Sequence, residues 1–185
     1  MSIKINQEFF ARDTLSVAQD LLGTRLLYQD CAGIIVETEA YRDDPASHAV
    51  TKPKKGSMLW ETYGHIYIFF IYGMYHCLNF TTEKNGVGAI LIRAVQPLTG
   101  IEKMKERRNT DKLIQLCNGP GKLFQAFGMK PSIHGEVIGE STQLERFQDR
   151  TEFEIASSPR IGVSKAAELH WRFFIKGNKF VSKLI

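Results

Sequence analysis

The stretch that most constrains the fold reads GIIVETEAY, residues 33–41, and its alternation is typical of a β-strand. One face of this strand would carry small or apolar side chains, namely Ile34, Val36, Thr38 and Ala40. The other face would carry Ile35, Glu37, Glu39 and Tyr41. Charged side chains are rarely held by a buried strand unless they are solvated, paired or used. The two glutamates therefore indicate either a solvated sheet face or a functional row.

A second informative stretch reads YGHIYIFFIYGMYHCLNF. Its aromatic and β-branched residues predict two strands, residues 66–71 and 76–82, joined as a hairpin with Gly73 in the turn. The large aromatic side chains at the tip cannot all be buried by their own strands. Residues 87–95 predict a third strand of an antiparallel meander, interrupted by Arg93. An arginine there must be paired with a carboxylate or used, because an unpaired buried charge is costly.

Local signals predict the remaining elements. Asp13 is a good N-cap for a helix that would end near Leu22. Thr99 and Glu102 have capping-box spacing and predict a helix that ends near Arg108. The sequence also predicts a strand over 24–28 beside the glutamate strand, a loop over 42–60 and a helix over 118–128. Residues 132–158 predict a long connection with one strand. Residues 172–175 and 179–183 predict a closing hairpin around Gly177 and Asn178.

Two basic segments have alternative interpretations. The loop over 42–60 carries His48 and then Lys52, Lys54 and Lys55. It is either solvated surface or a binding segment positioned by a rigid sheet. Residues 118–122 read NGPGK and open a predicted helix, which could hold a phosphate or simply be a capped structural helix. The spacing of a Walker A motif is absent.

Length and composition limit the class of protein. We interpret residues 1–185 as one domain, because 185 residues with 43% hydrophobic content can bury one core. The three cysteines form no CxxC pair and predict reduced cytoplasmic thiols. We expect no signal peptide, no membrane segment, no metal and no cofactor, because no matching pattern is present. The formal net charge of +4 favours an anionic partner.

The residues themselves leave three functions open. Aromatic side chains with basic surroundings suit a protein that unstacks nucleic acid, and a carboxylate suits activation of a water. The first interpretation is a hydrolase that acts on nucleic acid. The second is a non-catalytic module that binds damaged DNA or RNA. The third is a sugar hydrolase that uses Glu37 and Glu39 as its pair, although two groups on one strand face cannot easily flank a bond.

Several segments resemble the alkyladenine (3-methyladenine) DNA glycosylase family of the mammalian type. They are VETEAY, a loop with His48, YIFFIYGMYHCLN, LIRAVQPLTGIEKM, CNGPGKLFQAF and RIGVSKAAELHWRFFIKGN. The resemblance as a whole runs over roughly residues 9–181. The resemblance implies an α/β (α+β) domain with a mixed, mainly antiparallel, curved sheet, peripheral helices and a protruding β-hairpin. It also implies a monofunctional, metal-free enzyme that flips alkylated or deaminated purines from duplex DNA and hydrolyses the N-glycosidic bond. We expect a monomer in the bacterial cytoplasm that acts on nucleoid DNA.

The resemblance also implies roles for individual residues. Glu39 would be the general base and Arg93 would help to hold the attacking water, which the backbone carbonyl around Ile161 would also contact. Tyr72 would fill the space vacated in the duplex. The base pocket would consist of Tyr41, His48, Phe69 and Asn79, with Asn79 excluding guanine through its exocyclic amine. Phe69 stands where mammalian members have a tyrosine, the loop around His48 is shorter, and Glu37 is expected to be structural.

Overall fold

The structure is a computed structural model that describes residues 2–148 and 152–183. Its strands are β1 (Ser2–Lys4), β2 (Arg25–Tyr28), β3 (Cys31–Tyr41), β4 (Ile66–Ile71), β5 (Tyr75–Thr82), β6 (Gly88–Thr99), β7 (Thr142–Phe147), β8 (Ile155–Ser158) and β9 (Arg172–Ile175). Its helices are α1 (Thr14–Asp20), α2 (His48–Thr51), α3 (Pro53–Gly56), α4 (Met58–Glu61), α5 (Ile101–Arg108) and α6 (Pro120–Phe127), with short 3₁₀ turns at Gln7–Ala11, Leu113–Gln115 and Pro131–Ile133.

One nine-stranded sheet organises the molecule, in the order β1-β7-β2-β3-β6-β5-β4. The first part of β3 pairs with β2, and its later residues Glu37, Thr38 and Glu39 pair with β9, which in turn pairs with β8. The sheet therefore divides at the glutamate strand. Every strand pair in the described ranges is antiparallel. The single α/β domain expected from the sequence is confirmed.

Three irregularities interrupt the pairing of β3 with β6, and two of them lie beside Glu37. Ile35 pairs with Val95 and Glu37 with Ala94, so Val36 has no partner in the register of these two strands. Arg93 is the extra residue on β6, between Ala94 and Ile92. Bulges re-aim side chains and are common next to active sites. They turn the Arg93 side chain toward both glutamates.

The bulges also correct the predicted alternation along β3. Ile35 lies in the main core together with Ala40, rather than on the face that carries the glutamates. Val36 packs in a second, smaller cluster with Ala94 and Phe174. An inserted residue shifts the period of two by one position, and a regular pattern in the sequence does not reveal where such a shift occurs.

The main core lies between the sheet and two helices. The hydroxyl of Thr38 donates to the carbonyl of Ala18 in α1 at 2.9 Å, which fixes that helix on β3. Leu123 and Phe127 of α6 are buried in the same core, on the other side of which lie apolar residues of β5 and β6. The carboxylate side of β3 thus faces away from α1.

Several sequence predictions are confirmed and others are wrong. Asp13 caps α1 through a bond from the Ser16 amide at 2.9 Å, and β4 and β5 pair as the expected hairpin around Gly73. The segment predicted as a loop instead contains α2, α3 and α4, each too short to produce a periodic pattern. Gly100, with φ of 75°, precedes α5 without any side-chain cap, so the capping box is wrong. The closing hairpin is also wrong, because β9 pairs with β3 and β8. The connection contains two strands.

No helix within the described part of the chain is long and apolar enough to cross a membrane.

Candidate active site

A row of side chains crosses four strands on one face of the sheet. Tyr67 of β4 is opposite Asn79 of β5, Asn79 is opposite Leu91 of β6, and Leu91 is opposite Glu39 of β3. Directly opposed residues in an antiparallel sheet point to the same face. The register alone therefore brings a carboxylate, an amide and a phenol together, although they are far apart in sequence.

This face forms the floor of a cavity of about 550 Å³. Seven of the eight residues predicted for the site line it: Tyr41, His48, Phe69, Tyr72, Asn79, Arg93 and Ile161. The eighth, Glu39, is fully buried directly behind the wall that Tyr41, Arg93 and Ile161 form. The fold therefore gathers all eight around one space large enough for a nucleobase.

Three donors fix the carboxylate of Glu39. Its Oε1 accepts from the backbone amide of Ile161 at 2.7 Å and lies 3.2 Å from Nη1 of Arg93. Its Oε2 accepts from the hydroxyl of Tyr41 at 2.8 Å. A carboxylate oxygen has two lone pairs, so Oε2 retains acceptor capacity beyond its bond to Tyr41. At Ile161 the amide contacts the glutamate, which the sequence analysis did not anticipate.

Glu37 occupies a different environment from Glu39. Its Oε1 accepts from Nε of Arg93 at 3.0 Å, from Nε of Arg172 at 2.7 Å and from the hydroxyl of Ser182 at 2.7 Å. Both glutamates are fully buried, so the solvated-face interpretation is wrong. The carboxylate of Glu37 is thus held by two arginines and Ser182, and its structural role stays a prediction.

Arg93 bridges the two glutamates. Burial by itself would lower the pKa of Arg93, but the charges of Glu39 and Glu37 hold that pKa above its ordinary value. The guanidinium is therefore a fixed positive charge at the cavity wall, oriented from Nε by Glu37 and from Nη1 by Glu39.

Tyr41 forms one aromatic wall and is backed by an ion pair. The guanidinium carbon of Arg160 lies 4.7 Å from the centroid of the Tyr41 ring. Arg160 is buried and forms a two-bond ion pair with Asp44, at 2.7 and 3.1 Å. Burial, and then the neighbouring charge of Glu39, raise the pKa of Tyr41 well above its ordinary value. The phenol is therefore a hydrogen-bond donor at physiological pH.

His48 and Phe69 form a second aromatic wall of the cavity. Their ring centroids are 3.8 Å apart, and Nδ1 of His48 lies 3.2 Å from the hydroxyl of Tyr67. Burial, together with the nearby charge of Lys52, lowers the pKa of His48 to about 4. The imidazole is consequently neutral at physiological pH. The Nζ atom of Lys52 lies 4.4 Å from the centroid of the Phe69 ring.

Asn79 is a rigid part of the cavity floor. Its amide nitrogen donates to the carbonyl of Tyr67 at 3.0 Å and to the carbonyl of Cys77 at 3.2 Å. Both amide hydrogens are thereby used, and the side chain is held in one orientation by its own hairpin.

Tyr72 lies at the tip of the β4–β5 hairpin, at the cavity rim. Its side chain is 74% exposed, and its φ of 54° is unusual for a residue other than glycine. Gly73 follows with φ of 68°, and the amide of Met74 bonds to the carbonyl of Ile71 at 3.2 Å, which closes the turn. A large ring is therefore presented to solvent by a well-formed tight turn.

The start of α6 also lines the cavity. Lys122 and Arg108 both lie there, and Nζ of Lys122 donates to the side chain of Asn118 at 2.9 Å. Among the described residues, no group of three or more histidine, cysteine or acidic side chains is arranged to hold a metal ion.

Sequence reasoning missed four residues that shape this site. Arg160, Asp44, Arg172 and Tyr67 hold the walls or the buried charges in place. Arg160 immediately precedes the predicted residue Ile161. Tyr67 lies two positions before the predicted residue Phe69 on β4, so strand alternation places both on one face. The pairing of Arg172 with Glu37 spans 135 positions and has no local signal.

Comparison with known proteins identifies the class. The pattern of the family described as Methylpurine-DNA glycosylase (MPG) matches residues 8–179. A protein from Rhizobium johnstonii, named "Putative 3-methyladenine DNA glycosylase", is 44% identical over 179 residues, covering 96% of this chain and 88% of the relative. Proteins with the same name from Salinibacter ruber and Methanoculleus marisnigri are 40% and 39% identical, and each alignment covers at least 94% of both chains.

The chain therefore belongs to the methylpurine-DNA glycosylase family. Membership makes it a DNA N-glycosylase, a hydrolase of DNA repair whose substrate is DNA. The resemblance noted in the sequence is confirmed at the level of the family. This class also replaces the two alternatives, the non-catalytic binding module and the sugar hydrolase.

Proposed function

We propose that the protein flips an alkylated or deaminated purine out of duplex DNA into the 550 Å³ cavity and hydrolyses its N-glycosidic bond with a water activated by Glu39. The observation that carries this proposal is the convergence of a buried carboxylate, a paired arginine and two aromatic walls on one space. The proposed substrates are lesions of the 3-methyladenine, 7-methylguanine and hypoxanthine type.

In the proposed reaction, Glu39 accepts a proton from water as the water oxygen bonds to C1′ of the deoxyribose. The bond from C1′ to the base breaks, its electron pair leaves with the base, and an abasic site remains. The remaining acceptor capacity of Oε2 suits contact with the water. Arg93, and the backbone carbonyl around Ile161, would help to position the same water.

The aromatic walls would select the base. Tyr41 on one side and His48 with Phe69 on the other can sandwich a flat ring, and stacking contributes about 1–3 kcal/mol per base. An alkylated purine carries a positive charge, so attraction to the ring faces adds roughly 0.5–2 kcal/mol. Such a base also leaves readily, which suits a pocket whose histidine is neutral.

Two further residues would fill the gap in the duplex and exclude normal guanine from the cavity. Tyr72 would enter the gap left by the flipped base, because it is exposed and rigidly presented. Asn79 would obstruct the 2-amino group of guanine, because its two backbone contacts prevent it from swinging aside. No metal or cofactor is needed for any of these steps.

A base-release assay tests the proposal. The purified protein is incubated with duplexes that carry a single 7-methylguanine, hypoxanthine, ethenoadenine or undamaged purine, and free base and abasic sites are quantified. We expect release of alkylated or deaminated purines and none of undamaged ones. Tight binding to damaged duplexes without any release of these bases would contradict the proposal.

A further inference from the structure

Both aromatic walls of the cavity already carry a positively charged side chain of the protein. Arg160 lies over the Tyr41 ring at 4.7 Å, and Lys52 lies over the Phe69 ring at 4.4 Å. The face of an aromatic ring attracts a cation through its quadrupole. A cationic base that stacks on either ring would therefore share that ring with an existing cation.

The backbone holds Lys52 at this place. Its amide donates to the carbonyl of His48 at 2.9 Å, and its own carbonyl accepts from Lys55 at 2.9 Å and Gly56 at 2.8 Å. Lys52 thus forms the junction between α2 and α3. Its ammonium also helps to lower the pKa of His48, which places it close to this wall.

Arg160 is held still more firmly. It donates two bonds to Asp44 and one to the carbonyl of Ala40 at 3.0 Å, and it also contacts the Trp171 ring at 5.2 Å. It cannot leave the Tyr41 ring without breaking a buried ion pair.

We propose that Lys52 and Arg160 are specificity-determining residues that reduce the preference of the cavity for positively charged bases. This inference rests on the proposed function. A cationic base on the opposite face of the ring is repelled by the resident cation. A cationic base beside Phe69, whose ring His48 also contacts at 3.8 Å, meets the ammonium of Lys52 at short range. In both geometries a cationic lesion loses part of its advantage, while a neutral purine keeps its stacking.

Lys52 is the residue on which this can be tested. It is exposed, so its replacement leaves the core intact, whereas removal of Arg160 leaves Asp44 buried without its partner. Lys52→Met keeps an unbranched side chain that can still pack on Phe69 but removes the charge. Lys52→Arg keeps the charge and the contact. Lys54→Met is the matched control, because Lys54 is also exposed, on α3, and has no ring contact among the described residues.

The experiment measures single-turnover excision of 7-methylguanine and of hypoxanthine from duplexes of identical sequence. Loss of a contact to a DNA phosphate slows both substrates alike, so the ratio of the two rates isolates the effect on the pocket. We expect Lys52→Met to raise the ratio of 7-methylguanine to hypoxanthine excision roughly twofold to tenfold. Lys52→Arg and Lys54→Met should leave the ratio at the native value.

The outcomes separate this inference from the proposed function. An unchanged or lowered ratio in Lys52→Met overturns the inference, as does an equal rise of the ratio in Lys54→Met. If the native protein releases neither base, the proposed function itself has failed.

Discussion

The hydroxyl of Tyr41 donates to Oε2 of Glu39 at 2.8 Å, so a wall of the cavity and the candidate general base form one unit. The two residues are separated by one position on β3 and project from the same face of the strand. Tyr41 thus holds Oε2 of the carboxylate, while Arg93 and the amide of Ile161 hold Oε1, and all three residues line the cavity.

Removal of the Tyr41 hydroxyl should therefore slow catalysis without loss of stacking. We expect Tyr41→Phe to reduce single-turnover excision by about twofold to tenfold, the range for one hydrogen bond. Tyr67→Phe is the control, because that phenol also lines the cavity but contacts His48. An equal loss in the control would show that the bond to Glu39 has no special effect.

Tyr72 should matter to duplex DNA and not to the fold. Because its ring is 74% exposed, Tyr72→Ser should leave the melting temperature nearly unchanged. Excision from duplexes should fall, since flipping costs a few kcal/mol that the inserted ring offsets. Excision from a single-stranded substrate, which has no gap to fill, should fall much less. A large drop in melting temperature would show that Tyr72 supports the fold.

Asn79 should govern selectivity more than rate. We expect Asn79→Ala to keep activity on 7-methylguanine and to begin slow release of normal guanine, because the rigid obstruction to the 2-amino group is gone. Release rates for both bases from matched duplexes provide the measurement. Uniformly lower rates without guanine release would show that Asn79 positions the base instead of filtering it.

The depressed pKa of His48 predicts a pH dependence of stability. The pKa of about 4 in the folded protein lies below the ordinary value of 6.5, so the unfolded chain binds more protons between these values. His48 therefore makes stability fall as the pH drops from about 6.5 to 4. We expect His48→Gln to flatten melting temperature against pH in that window, compared with His170→Gln at an exposed position. Identical slopes in both variants would contradict this account.

Local chemistry made much of the fold predictable. The cap at Asp13, the hairpin that carries Tyr72 and the strand that carries Glu39 all have short-range signals, and all three are present. The same reasoning failed at Thr99, where tertiary pairing extends β6 through the predicted cap. It also failed for residues 179–183, because β9 pairs with strands distant in sequence.

Only those site residues that the family resemblance or strand alternation identifies could be predicted from the sequence. Alternation placed Glu39 and Tyr41 on one face, and the structure agrees. The bulge at Arg93 and the partners of Arg160 and Arg172 depend on contacts between distant segments. Such contacts leave no periodic pattern in a single sequence. The positions of Lys52 and Arg160 over the aromatic rings could therefore be found only from the structure.

The two buried glutamates allow the most direct test of the central claim. The amide introduced by Glu39→Gln can still accept from Ile161 and donate to the oxygen of Tyr41, so the fold should be retained. Both oxygens of Glu37 accept hydrogen bonds from N–H groups, so the NH₂ group introduced by Glu37→Gln would face another donor. The substitution also removes the negative charge between Arg93 and Arg172. That change should cost on the order of 1–3 kcal/mol of stability.

Single-turnover excision of 7-methylguanine, measured beside the melting temperature, is the decisive experiment. We predict that Glu39→Gln lowers excision by at least about 10²–10⁴-fold, with damaged-DNA binding and melting temperature retained. Glu37→Gln should lower the melting temperature by several degrees, at roughly 2–4 °C per kcal/mol, and change excision by the folded protein far less. An active Glu39→Gln variant beside an inactive but stable Glu37→Gln variant would contradict the account and assign the general base to Glu37.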